Sequence, residues 1–119
     1  MVVTCTLRDN EKVLKSHTLI DTGAIGYDFI DEEFAHRNHL PLFKLRKPRE
    51  IGVIDGGPIE SGAVTHLTRL RLKIREHAED IPMFVTKLGD YPVVLGIPWL
   101  RHHDVLLRCA RNQIIFDSD

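Results

Sequence analysis

The stretch that decides the fold is residues 18–30, TLIDTGAIGYDFI. One carboxylate, Asp21, follows the apolar Leu19 and Ile20 and precedes Thr22 and Gly23. Ala24 and Ile25 come next, so the turn is expected to be buried. An ionised Asp in apolar surroundings is costly unless something compensates it. The plain alternative is a turn at a strand end, with Asp21 accepting local backbone hydrogen bonds. Asp, then Ser or Thr, then Gly arises by chance in about one chain in twenty of this length at average residue usage. The tripeptide therefore carries weight only through its context.

That context includes a weak internal echo. Residues 17–25, HTLIDTGAI, and residues 91–100, YPVVLGIPWL, share a plan of apolar strand, early glycine and downstream helical segment. The first copy holds an Asp; the second holds Leu95 and Gly96 at the matching place. If the two halves pack around a common centre, that centre receives one acid per chain. The chemistry suited to such an acid is a shared-proton pair with the same residue of a second chain. Two carboxyl groups about 3 Å apart cannot both ionise, so one pKa rises and the other falls. One carboxylate then takes a proton from a bridging water while the other donates to a scissile carbonyl. In this scheme Gly23 lets the backbone pass close and offers its N–H, and Thr22 offers a hydroxyl that locks the loop from below.

Working outward, strand signals dominate. VVTCTL alternates, and HTLI follows the polar RDNEK, which predicts a hairpin. DEEFAHRNHLP carries acids in its first turn, Asp31 as N-cap and a stop at Leu40-Pro41, which predicts a short helix. KPREIGVIDGGPIESGAVTHL is rich in Gly and Pro and centres on Asp55-Gly56-Gly57. Asp-Gly supplies the positive φ of a tight hairpin turn, so an exposed β-hairpin is expected here. LTRLRLKIR alternates most clearly: Leu70, Leu72 and Ile74 on one face, Arg69, Arg71, Lys73 and Arg75 on the other. The acidic EHAED is read as the turn into IPMFVTKL. YPVVL is a strand, followed after Gly96 by a short helix with Pro98 in its first turn. VLLRC and QIIFD flank ARN as a last hairpin.

No internal boundary interrupts the 119 residues, which are read as one mainly β domain with one or two short helices. The patterned segments run close to both ends, as in a domain excised from a larger polyprotein. Apolar content of 43% and charged content of 28% are those of an ordinary globular chain. A net charge of −1 argues against nucleic acid as this domain's partner. No apolar run is long enough to span a bilayer, and the charged start does not read as a signal peptide. Cys5 and Cys109 could pair, but nothing suggests an oxidising compartment, and two free buried thiols are the preferred reading.

Three motifs in order, LIDTGA, the Gly-rich IGVIDGGPIESG and VVLGIPWL, resemble the retropepsin-like aspartic proteases, above all those of gypsy-type LTR retrotransposon polyproteins. The resemblance runs from His17 to Phe116. It implies an all-β, closed-barrel acid-protease fold with one lobe per chain, working as a homodimer that contributes one Asp from each copy. It implies Asp21 as the catalytic acid, Thr22 and Gly23 as its loop partners and Ala24 as the small substrate-facing residue. Ile54, Asp55, Gly56, Gly57 and Pro58 match the flap that covers substrate. Leu95 and Gly96 match the apolar-Gly motif that supports the active-site loop, and Trp99-Leu100 the segment after it. No cofactor or metal is implied. The substrate implied is a peptide bond in the parent polyprotein, cut in the cytoplasm or within virus-like particles rather than outside the cell. Ile25-Gly26-Tyr27 and Cys109 depart from the family pattern. The alternative is a module of the same fold that dimerises or binds peptide with little or no turnover. Intact Asp21, Thr22 and Gly23 favour the enzyme; a monomer in solution favours the module.

Other residues have simpler readings. His36 and His39 lie three apart and His102-His103 are adjacent, but a zinc site needs more converging ligands than these provide. The basic face of residues 69–75 is a solvated strand face, Trp99 is core, and Asp55 belongs to its turn.

Overall fold

The computed structural model describes residues 2–20, 28–49, 53–54, 57–58, 63–89, 91–96, 105–108 and 113–116. The chain opens with strands β1 (Val2–Arg8) and β2 (Val13–Ile20), paired antiparallel from Val2↔Leu19 to Arg8↔Val13. Their connection is shaped by Asp9, whose carboxylate accepts from the amides of Glu11 at 2.7 Å and Lys12 at 2.8 Å. Those bonds, Glu11's above all, hold the Asp9 carboxyl below its ordinary range. β3 (Phe29–Asp31) runs into helix α1 (Glu32–Arg37). Asp31 caps that helix as expected, its Oδ2 accepting from the Phe34 amide at 3.1 Å. Its other oxygen accepts from the Leu88 amide at 3.0 Å, so one side chain ties the helix start to the segment after β8 (His77–Thr86). The helix ends earlier than the Leu40-Pro41 stop. Asn38 is its C-cap, and the chain turns at His39, whose φ is 54°.

The long β7 (Val64–Ile74) bears out the alternation of its sequence. Leu70, Leu72 and Ile74 are buried, while Arg69, Arg71 and Lys73 are exposed. Its turn into β8 is shorter than EHAED implied. Ile74 pairs with His77, leaving only Arg75 and Glu76 between the strands, with Arg75 at φ 54°. His77 to Asp80 are strand residues because their polar groups find partners. His77 Nε2 lies 2.9 Å from Glu79 Oε2, and Arg71 pairs with Asp80 at 3.2 Å.

β9 (Val93–Leu95) completes a ring. The order β1-β2-β9-β3-β8-β7, closed by the β1–β7 pairing, is a six-stranded barrel. Closure removes the free strand edges that an open sheet presents. Inward residues Val3, Cys5, Leu7, Ile20, Ile30, Leu70, Leu72, Met83, Val93 and Leu95 form one core, against which Phe34 and Ala35 of the helix pack. A second, smaller cluster lies on the other face of the same strands, where Phe29 and Val94 are buried with Leu19, Phe84 and Leu88 packed on them. β9 is therefore buried on both faces.

β4 (Phe43–Arg49) adds an edge strand to β7, with an irregularity between Lys44 and Arg49. Its residues show no sustained alternation of apolar and polar side chains. It holds its place by pairing, and its Lys, Arg and Pro residues are those that protect an exposed edge. Beyond it, β5 (Val53–Ile54) and β6 (Gly57–Pro58) pair antiparallel, Val53↔Pro58 and Ile54↔Gly57. β10 (Val105–Arg108) and β11 (Gln113–Phe116) form the expected last hairpin. The helix expected after Gly96, with Pro98, Trp99 and Leu100, lies outside the described residues, as does Cys109.

Candidate active site

The two copies of the internal echo lie side by side. β2 and β9 pair in parallel, Thr18↔Val93, Leu19↔Val94 and Ile20↔Leu95. The strand that leads into Asp21 thus ends against the strand that leads into Gly96. Ile20 is 5% exposed and Leu95 fully buried, so the Asp-Thr-Gly segment departs from the centre of the barrel core. The chain returns at Phe29, which pairs antiparallel with Val94. β9, between β2 and β3, is the common support of both ends of that segment.

Of the residues assigned from sequence, Leu95 ends β9 and Gly96 directly follows it. Leu95 faces the core, and the Gly96 amide donates to Asp28 Oδ1 at 2.9 Å. Ile54, Gly57 and Pro58 lie in the β5–β6 hairpin. Asp21, Thr22, Gly23 and Ala24, and Asp55 and Gly56 between the hairpin strands, lie outside the described residues.

Two polar features escaped the sequence reading. Asp28 is partly buried, and its carboxyl is pushed up to about 6, chiefly by burial; the Gly96 bond opposes this and the charge of Glu79 adds to it. Its only sequence signal was a second acid at the far end of the Asp-Thr-Gly segment. The other feature is Thr18, fully buried, with Oγ1 2.7 Å from the Cys5 thiol. Burial pushes that thiol up, which keeps it protonated and unreactive. Among the described residues no three His, Cys, Asp or Glu side chains gather as a metal site requires, and no helix is long and apolar enough to cross a membrane.

A profile of the PEG10/RTL1 protease domain matches residues 17–119, which takes in both halves of this centre. The chain belongs to the PEG10/RTL1 protease domain family. That family is retropepsin-like and derived from gypsy retrotransposons, in agreement with the resemblance carried by the three motifs. The fold agrees as well. The crystal structure of the retroviral protease-like domain of Ddi1 from Leishmania major superposes with a TM-score of 0.64 at 16% identity, covering 100% of this chain and 89% of that one. At that identity the likeness speaks for architecture, and the architecture is the retropepsin-like barrel. In this PEG10/RTL1-type domain the β2–β9 pair and the Asp28–Gly96 bond hold the described residues on either side of the Asp-Thr-Gly segment.

Proposed function

We propose that this domain is an aspartic endopeptidase acting as a homodimer. The observation that carries the reading is the parallel pairing of Ile20 with Leu95 inside a retropepsin-like domain. It sets side by side the strands that lead into the Asp-bearing and the acid-free copies of the echo, which supports a centre to which each chain supplies a single carboxyl. Asp21 and Asp21 of the partner subunit share one proton. The ionised member takes a proton from the attacking water as the other protonates the carbonyl oxygen of the scissile bond. The tetrahedral intermediate then collapses. The carboxyl that took the water's proton gives it to the leaving amine nitrogen, and the other takes back a hydroxyl proton as the carbonyl re-forms. Neither step needs a covalent enzyme adduct. Gly23 and Thr22 steady the carboxyl groups, Ala24 lines the cleft, and the hairpin from Ile54 through Asp55, Gly56 and Gly57 to Pro58 closes over the peptide by strand addition.

The substrate is a polyprotein that contains this domain, of which residues 1–119 form one folding unit, and the place of action is the cytoplasm or a virus-like particle. The test is Asp21→Asn. The variant is expected to keep the fold and lose hydrolysis of a peptide library, because Asn can neither take nor give the proton. An Asn variant that cleaves as fast as the parent contradicts the reading.

A further inference from the structure

Asp28 is an acid that the proposed chemistry does not use, yet it sits where the Asp-Thr-Gly segment rejoins the barrel. Its main chain is tied to one neighbour: the Asp28 carbonyl accepts from the Phe84 amide of β8 at 2.9 Å. Its side chain is tied to another, Oδ1 accepting from the Gly96 amide at 2.9 Å. Gly96 directly follows β9, one residue beyond Leu95, the partner of Ile20. The segment 21–27 is therefore bracketed. It leaves β2 at a residue paired to the end of β9, and it returns at a residue hydrogen-bonded to the next amide of the same chain.

A carboxylate is an expensive way to satisfy one backbone N–H. Burial disfavours its charge, and the acid of Glu79 on β8, itself bonded to His77 at 2.9 Å, disfavours it further. Asn would offer the same oxygen without ionising. What the carboxylate adds, where it is ionised, is a charge-assisted acceptor, about twice as strong as a neutral one. Stiffness of that kind matters most where a reacting group must be held in place.

We infer that Asp28 is a positioning residue, whose hydrogen bond to Gly96 clamps the returning end of the 21–27 segment to β9 and so fixes Asp21 at the dimer centre. The inference rests on the reading of Asp21 as the catalytic acid.

The test compares the full chain with Asp28→Ala and Asp28→Asn, by peptide hydrolysis and by amide NMR. Asp28→Ala is expected to lower kcat about tenfold or more with KM within about twofold, the signature of a misplaced reacting group. Asp28→Asn, which keeps the acceptor oxygen but not its charge, is expected to recover part of the rate. In the parent the Gly96 amide shift should titrate with a midpoint at about 6, following the carboxyl it bonds, and in Asp28→Asn that titration should vanish. Unchanged kcat in Asp28→Ala overturns the inference. So does a loss of rate in both variants that merely follows a fall in Tm. Should the parent cleave nothing, the reading of Asp21 fails separately. The clamp is then judged by amide exchange: faster exchange at Gly96 and residues 21–27 in Asp28→Ala supports it, and unchanged exchange overturns it.

Discussion

Ile20 and Leu95 are Cα partners in a parallel pair at the centre of the barrel. Parallel neighbours need a crossover, and here the whole of β3 to β8 intervenes between them. The pair thus joins the two halves of the chain at the point where the acid-bearing segment begins. Core packing and the proposed chemistry meet at these two side chains.

Leu95→Ala follows from that position. Leu95 is fully buried, so truncation removes its transfer free energy and leaves a cavity in the core cluster it shares with Ile20. A loss of about 2–5 kcal/mol is expected in urea unfolding. Val13→Ala is the control: Val13 is 61% exposed, and the change should stay within about 0.5 kcal/mol. Equal effects of the two substitutions contradict the burial argument.

Asp31→Ala removes the N-cap bond to Phe34 and the bond to Leu88 together. The expected cost is about 2 kcal/mol, with Asp31→Asn recovering part of it. The denaturation midpoint should move while the m-value stays constant. An unchanged midpoint in Asp31→Ala means that neither bond contributes.

Asp28 makes stability depend on pH. Its carboxyl sits at about 6 in the folded chain, above the ordinary value of about 3.9 expected when unfolded. The folded state therefore holds the proton more tightly. Its contribution is complete below about pH 4 and is lost as pH rises through about 6. Asp28→Asn cannot ionise, so it should be more stable than the parent at pH 7, by about 1–2 kcal/mol allowing for partial solvent exposure. The difference should disappear near pH 4. A gain of the same size at both pH values contradicts the assignment.

What was legible in the sequence was whatever local periodicity or turn chemistry encodes. Leu70, Leu72 and Ile74 gave away β7, Asp31 gave away the helix start, and Asp55-Gly56 gave away the β5–β6 hairpin. β4 was hidden because an edge strand with both faces wet needs no alternation; its charges read as loop. The start of β8 was hidden because its polar residues are satisfied by one another and by Arg71 across the pair. Asp28 was illegible for a different reason. Its partner Gly96 is 68 residues away, and only the placement of β3 beside β9 brings them together.

The β5–β6 hairpin has two paired positions on each strand, too few to hold it firmly on its own. Amides across residues 52–62 should exchange quickly in the free protein and slowly with a peptide-like inhibitor bound, as added backbone hydrogen bonds order the strands. Proline at Gly56 or Gly57 should raise KM or lower kcat without unfolding the core. Equal protection with and without inhibitor means that this hairpin does not cover the cleft.

The most direct measurement is hydrolysis by mixed subunits. Parent chain is held constant, and Asp21→Asn chain is added in increasing excess at concentrations where sedimentation shows dimers that exchange. If the site is built from one Asp21 of each copy, every parent chain captured by a variant partner is silenced. The rate per parent chain then falls in proportion to the parent's share of the mixture. A rate per parent chain that stays constant however much variant is added means that one chain carries a complete site, and the shared dyad is wrong.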